Sequence, residues 1–146
     1  MNEVDGTAGY LEFCDLSIGR SASLVRSFSR EDIDTFRKLA PDDAPVHVDK
    51  EFAIRLGFKG VLVFGMLAAA PFSGLLGMKV PGPLTVLHWV RLNMAAPVYT
   101  GELIVYRAEI KQLSSATKCV VLDLLALRGE DEEVVMRGQA QCGFRA

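Results

Sequence analysis

The spacing of apolar positions changes near residue 80 and divides the chain into a helical half and a strand-rich half. In the first half, Ile33, Phe36 and Arg37 lie at helical spacing, which predicts a short amphipathic helix over Arg30–Ala40, and a second short helix is expected over Asp49–Leu56. Ser29 and Asp32 have the spacing of a capping box, so we expect the first helix to begin directly after Ser29. Alternating positions within Leu16–Phe28 predict one strand before it.

The stretch Phe64–Gly77 is apolar or small on every face of a helix, which predicts a helix buried on all sides. Pro71 lies inside it and removes a backbone donor, so a kink or an irregular turn is expected there. Glycine, serine and proline interrupt the surrounding apolar stretch Val61–Met78. It therefore does not fit the roughly 20 strongly apolar residues of a membrane span.

Beyond Pro81-Gly82-Pro83, four segments rich in valine, isoleucine, leucine and tyrosine alternate with turn residues, and we predict four strands there. Short connections between successive strands favour an antiparallel meander. The fold class that follows is α+β, with one antiparallel sheet wrapped around one central apolar helix. The four predicted strands are Thr85–Leu92, Leu103–Lys111, Lys118–Leu127 and Val134–Gly143.

A length of 146 residues fits a single domain over residues 1–146, with residues 1–10 as a loose lead-in. Half of the residues are hydrophobic, which is enough for a core without disulfides or metals. The net charge of -2 provides no basic field, so neither nucleic acid nor a membrane surface is an expected partner.

Cysteine use and the N-terminus bear on the compartment and on metal binding. The three cysteines, Cys14, Cys119 and Cys142, are odd in number and far apart, so neither a disulfide framework nor a zinc site is expected. Buried, reduced thiols in a cytoplasmic protein are the favoured interpretation. The acidic, polar stretch Met1–Tyr10 does not have the pattern of a signal peptide.

Only two histidines are present, His47 and His88. His47 lies five residues after Asp42 in the proline-rich stretch Pro41–His47, which is predicted to be an ordered loop rather than a regular element. On a loop, this carboxylate and imidazole can converge on one water molecule. From the spacing alone, turn-forming aspartates at Asp42 and Asp43 with His47 packed beneath them are the favoured interpretation. His88 lies in a strand pattern and is expected to be structural or at the surface.

Several ungapped segments resemble those of MaoC-like proteins of the (R)-specific enoyl-CoA hydratase kind. Run 40–49, APDDAPVHVD, resembles the hydratase-2 motif, whose form is close to S-G-D-x-N-P-x-H-x-D. Run 58–67, FKGVLVFGML, resembles the segment that ends in H-G-M-L, and run 97–102, PVYTGE, resembles the turn P-V-x-x-G-D. Run 72–77, FSGLLG, also fits. The resemblance extends from Phe36 to Ile110 in the same order and spacing.

The resemblance implies a hot-dog fold and a thioester substrate, with CoA or an acyl-carrier protein as the carrier and no further cofactor. It makes Asp42 and His47 an acid–base pair that adds one water molecule across a trans-2-enoyl double bond. It also makes the backbone amide of Gly65, at the start of the buried helix, a donor to the thioester oxygen. A homodimer whose sheets join edge to edge is implied as well. The implied substrate-binding residues are Val63, Phe64, Met66 and Ser73.

Two positions depart from the family pattern. Ala44 stands where the family has asparagine, and Phe64 stands where it has the histidine of H-G-M-L. Three activities remain open: a hydratase or dehydratase on (R)-3-hydroxyacyl thioesters, a thioesterase or specialised dehydratase on the same scaffold, and a non-catalytic acyl-thioester binding module. For Ser73, a buried serine that bonds back to its own helix is the alternative to a role beside the pair.

Overall fold

The strands form a five-stranded antiparallel sheet with the order β1-β3-β4-β5-β2, and burial alternates along them. The computed structural model describes residues 10–129 and 132–145. The strands are β1 (Ser21–Arg26), β2 (Thr85–Met94), β3 (Ile104–Ser114), β4 (Cys119–Arg128) and β5 (Glu133–Phe144).

One face of the sheet forms the core. Along β4, Val120, Leu122 and Leu124 are buried and alternate with partly exposed neighbours, as a half-buried strand requires. The single strand predicted in the first half and the four predicted in the second are confirmed, with ends that differ by a few residues. The predicted meander is confirmed only for β3, β4 and β5. β2 crosses the molecule and pairs with β5 at the far edge.

The helices are α1 (Arg30–Leu39), α2 (Pro45–Val48), α3 (Lys50–Arg55), α4 (Gly65–Ala69) and α5 (Pro71–Met78). α1 begins at the predicted capping box: the Asp32 amide donates to Ser29 Oγ at 3.2 Å, and the Ser29 amide donates to the Asp32 carboxylate at 2.8 Å. The backbone hydrogen bond from Ser29 is the largest cause that lowers the pKa of Asp32.

The central apolar segment is two helices rather than one. Ala70 joins α4 to α5, and Pro71 occupies the first position of α5, where its missing amide proton costs nothing. Phe72 is buried, but Met66 is 72% exposed and Met78 is 66% exposed. The prediction of burial on every side is therefore wrong for a single chain, because one sheet covers only one side of a helix. None of the helices in the described residues is long and apolar enough to cross a membrane.

The sheet holds α4 through one buried hydrogen bond. The hydroxyl of Tyr106, on β3, donates to the carbonyl of Ala68 at 2.7 Å. Burial raises the pKa of this hydroxyl, which keeps it protonated as a donor. The bond fixes the short helix relative to the sheet.

The cysteines differ more in exposure than we expected. All three are free, and only Cys142 is buried, whereas Cys119 is partly exposed and Cys14 is exposed. The expectation of buried thiols is thus wrong for Cys14, which lies in the short helical turn Phe13–Asp15 ahead of β1 and not in the core. Burial raises the pKa of the Cys142 thiol to about 11.

Candidate active site

A cavity of about 280 Å³ opens between α2, the start of α4 and the ends of β2 and β5. His47 is the titratable side chain of its lining, and Gly65 contributes backbone to it. The rest of the lining is apolar and includes Phe58, Leu62, Val63, Met94, Pro97 and Met136. A recess of this kind, apolar with a few convergent polar groups, is typical of a small-molecule site.

His47 is held by the backbone. Its Nδ1 lies 2.8 Å from the carbonyl oxygen of Leu62. Because a carbonyl only accepts hydrogen bonds, Nδ1 carries the proton and the Nε2 lone pair is left free. The residue lies in the helical turn α2, so the prediction that Pro41–His47 is an ordered loop without a regular element is wrong at its C-terminal end. Pro45 has a backbone angle suited to the first position of a helix and begins that turn.

Phe64 supports the imidazole from behind. Its ring centroid lies 4.1 Å from that of His47 and 5.0 Å from that of Phe36, and the residue is only 2% exposed. Phe64 therefore packs beneath the histidine and is not part of the cavity surface. In the structure Phe64 contacts His47, and its contact with substrate stays a prediction.

Asp42 lies in the connection between α1 and α2. Its Oδ1 accepts a hydrogen bond from the amide of Ala44 at 3.0 Å, and the Ala44 carbonyl in turn accepts from the His47 amide at 2.9 Å. The backbone of one residue, Ala44, thus connects the two predicted partners. Within the part of the chain that the structure describes, their side chains make no direct hydrogen bond, and Asp42 is not part of the cavity lining.

The neighbouring carboxylate has a different environment. Asp43 Oδ1 accepts from Arg37 Nη2 at 2.6 Å and from Arg37 Nε at 2.8 Å, and its side chain is 75% exposed. The hydrogen bond to Asp43 is the largest cause that raises the pKa of Arg37. Of the two adjacent aspartates, Asp43 is the one engaged by a cation, and Asp42 is the half-buried one.

Gly65 is the first residue of α4, directly after Phe64 in extended conformation. An amide at this position has no carbonyl partner within its own helix. The residue is exposed and lines the cavity. An added Cβ would lie 3.8 Å from Met94 Cε, so the cavity side of this glycine is narrow but not closed.

The other predicted substrate-binding residues are distributed unevenly. Val63 lines the cavity, whereas Met66 and Ser73 are exposed and lie outside its lining. The alternative of a buried Ser73 is therefore wrong. The sequence did not point to Met94 and Met136, which occupy paired positions of β2 and β5. The predicted second strand ended at Leu92, and extending its alternation by one more step would have included Met94.

His88 lies elsewhere, at an irregularity of β2 where the register with β5 shifts. Its Nδ1 lies 3.0 Å from Gln141 Nε2 and 3.9 Å from Cys119 Sγ; His88 is exposed, and both of these neighbours are partly exposed. This agrees with the surface position expected for it. In residues 10–129 and 132–145, no three His, Cys, Asp or Glu side chains converge on a point that could hold a metal ion.

A family profile and two curated relatives match most of this chain. The sequence profile of the family described as MaoC like domain matches residues 17–126. The (R)-specific enoyl-CoA hydratase of Rhodospirillum rubrum is 32% identical over 125 residues, which cover 81% of this chain and 87% of the relative. The 3-hydroxybutyryl-CoA dehydratase of Methylorubrum extorquens is 31% identical over 130 residues, which cover 89% of this chain and 82% of the relative.

A solved structure extends the match to three dimensions. The (R)-hydratase from Aeromonas caviae involved in PHA biosynthesis has a TM-score of 0.83 and 28% identity, covering 89% of this chain and 98% of that one. The expected α+β hot-dog fold is confirmed.

Proposed function

This chain belongs to the family of MaoC-like domains and is a hydro-lyase, and from that premise we propose that it hydrates trans-2-enoyl thioesters to (R)-3-hydroxyacyl thioesters and catalyses the reverse dehydration. The observation that carries the proposal is the fixed His47 ring, whose Nε2 lone pair is free beside an apolar cavity that Gly65 also lines. The carrier of the acyl group is CoA or an acyl-carrier protein. The reaction requires no bound cofactor, because water is the co-substrate.

In the proposed mechanism, Asp42 and His47 hold one water molecule against C3 of the enoyl group. Neutral His47 accepts a proton from the water through Nε2 as the oxygen bonds to C3. The electron pair of the double bond moves towards the thioester oxygen, where the Gly65 amide stabilises the charge. The pair then returns one proton to C2, so that one water molecule has been added across the double bond.

The size of the cavity favours a short acyl chain. An apolar cavity of about 150 Å³ holds a benzene molecule. The cavity of about 280 Å³ is less than twice as large and must also hold the reacting water. We therefore expect crotonyl-CoA, with four acyl carbons, to be a better substrate than enoyl thioesters of ten or more carbons.

Replacing the carboxylate of Asp42 tests whether this residue takes part in the proposed reaction. Asp42→Asn keeps an oxygen for the Ala44 amide but removes the charge, and we expect it to lower kcat/KM for crotonyl-CoA by about 10²- to 10⁴-fold. The measurement follows the loss of absorbance at the enoyl band. Asp43→Asn is the matched control, because that neighbour is exposed and engaged by Arg37.

Two results would contradict the proposal. If Asp42→Asn, Asp43→Asn and the unaltered protein hydrate crotonyl-CoA equally, Asp42 has no catalytic role. If the protein releases free thiol from acyl-CoA without hydrating the enoyl group, it is a thioesterase, and binding without any turnover identifies a binding module.

The edge of the sheet at β2 is the basis for a proposal about the oligomeric state. β2 is an edge strand, and a second sheet can pair with it. Exposed apolar side chains lie along it, namely Val86, Leu87, Val90 and Met94. We propose a homodimer that joins the two sheets at this edge, which light scattering at micromolar concentration tests; a monomer mass would contradict it. The free cysteines fit a reducing compartment, for which we propose the cytoplasm.

A further inference from the structure

Arg128, the last residue of β4, makes a set of hydrogen bonds that the proposed reaction does not itself use. Its side chain is only 18% exposed. Nη1 donates to the carbonyl of Pro97 at 2.8 Å and to Glu102 Oε2 at 3.0 Å, and Nη2 donates to Glu133 Oε2 at 2.8 Å. Burial by itself lowers the pKa of Arg128, but the bonds to Glu133 and Glu102 and their charges raise it overall.

These bonds hold the segment 97–102, which we call the wall segment because it begins at the cavity with Pro97 and Val98. Glu102 closes the segment on itself, since its Oε2 also accepts from the Tyr99 amide at 2.9 Å. Arg128 therefore holds both ends of the wall segment to the end of β4.

The wall segment in turn holds the residue that orients His47. The Val63 amide donates to the Val98 carbonyl at 2.8 Å, and Leu62 forms an antiparallel bridge with Tyr99. The Leu62 amide donates to Val46 at 3.1 Å, and its carbonyl accepts from His47 Nδ1 at 2.8 Å. Hydrogen bonds that are joined by single steps of backbone therefore lead from Arg128 to the imidazole.

We propose that Arg128 is a positioning residue: by fixing the wall segment it places the Leu62 carbonyl, which selects the tautomer and the orientation of His47. An arginine suits this role because its planar fork reaches three acceptors at once, whereas a lysine is a single point of charge. The inference rests on the proposed function only where it concerns turnover. The tautomer of His47 is a property of the folded chain.

The test uses Arg128→Met, Arg128→Lys and Glu102→Gln in the full chain. Arg107→Met is the matched control, since Arg107 lies on the neighbouring strand β3 and forms an exposed pair with Glu132 at 2.7 Å. The tautomers of both histidines are read from long-range proton–nitrogen NMR spectra of ¹⁵N-histidine-labelled protein, at a pH where both rings are neutral. His88 serves as the internal reference, because the Gln141 amide donates to its Nδ1 and leaves the proton on Nε2.

In the unaltered protein, we expect His47 with its proton on Nδ1 and His88 with its proton on Nε2. In Arg128→Met, His47 should become a mixture of tautomers, and kcat/KM for crotonyl-CoA should fall about 10- to 100-fold, as displaced catalytic groups cause. Arg128→Lys and Glu102→Gln should show smaller changes in the same direction. Arg107→Met should leave both readouts unchanged.

The inference is overturned if folded Arg128 variants keep the tautomer of the unaltered protein, or if Arg107→Met changes it equally. It is also overturned if the unaltered protein does not carry the His47 proton on Nδ1. If Arg128→Met fails to fold, Arg128→Lys and Glu102→Gln test the role of Arg128 by the same criteria. A protein that hydrates no enoyl thioester overturns the proposed function, while the tautomer measurement still decides the role of Arg128.

Discussion

His47 lines a cavity of about 280 Å³, whereas His88 contacts two residues, Cys119 and Gln141, that line a recess of about 300 Å³ without lining it itself, and the surroundings of the two rings differ. His47 donates to a backbone carbonyl and packs on a buried phenylalanine. The recess near His88, on the outer face of the sheet, is lined by Gln112, Ser114, Thr117, Cys119 and Gln141 among others. Around His88 the partners are partly exposed side chains.

The difference shows what turns a recess with a histidine into a candidate active site. A backbone carbonyl cannot rotate away from the ring, so one tautomer and one direction of the free lone pair are fixed before substrate arrives. The Gln141 side chain is partly exposed and can rotate away from the ring, so it holds His88 less firmly than a backbone carbonyl would. The cavity at His47 also contains the start of a helix, whereas the lining of the other recess comes from strands and the turn that follows β3.

The largest expected effect tests this comparison directly. His47→Ala should lower kcat/KM for crotonyl-CoA by about 10²- to 10⁴-fold, because it removes the proposed proton acceptor. His88→Ala should change it by less than about twofold, as surface substitutions usually do. Steady-state hydration assays measure kcat/KM of both variants relative to the unaltered protein. Equal losses in the two variants would remove the distinction between the recesses.

A second variant addresses the helix start beside His47. Gly65→Pro removes the amide proton but suits the first helical position, and the extended Phe64 before it is compatible with a following proline. We expect kcat to fall about 10²- to 10³-fold, the usual cost of an absent oxyanion donor.

Gly65→Ala is the control for Gly65→Pro, because it keeps the amide and its methyl group meets only Met94 at an ordinary distance. Circular dichroism checks that both variants fold. A proline variant as active as the alanine variant would exclude the amide from the reaction.

The smallest effect concerns the two faces of the sheet. Cys142 is buried in the core, whereas Cys119 lies beside His88 on the outer face, so a thiol reagent should modify Cys119 in the native protein and Cys142 only after unfolding. Rapid native labelling of Cys142, followed by mass spectrometry of its peptide, would contradict the buried position.

The same thiol makes stability depend on pH. Burial raises the pKa of Cys142 from 9.0 to about 11. The contribution of the buried thiol to the free energy of unfolding is therefore complete below pH 9 and is lost as the pH rises to about 11. The loss amounts to up to about 3 kcal/mol of unfolding free energy. Urea unfolding across this range should show a steeper decline for the unaltered protein than for Cys142→Ala, and parallel declines would rule the thiol out as the cause.

Local patterns in the sequence determined a large part of the structure. The strand alternation, the capping box at Ser29 and the break at Pro71 each depend on contacts within a few residues, so the sequence alone predicts them. The motif residues likewise indicated Asp42, His47 and Gly65, and two of these three line the cavity.

Only the tertiary structure decided the remainder. The partner of β2, the exposed face of α4 and the methionines of the cavity wall depend on how distant elements pack. The Leu62 carbonyl is 15 residues from His47, and the Pro97 carbonyl is 31 residues from Arg128. A backbone carbonyl is present at every position and leaves no signature in the residue types, so the contacts that fix the imidazole arise only when the chain has folded.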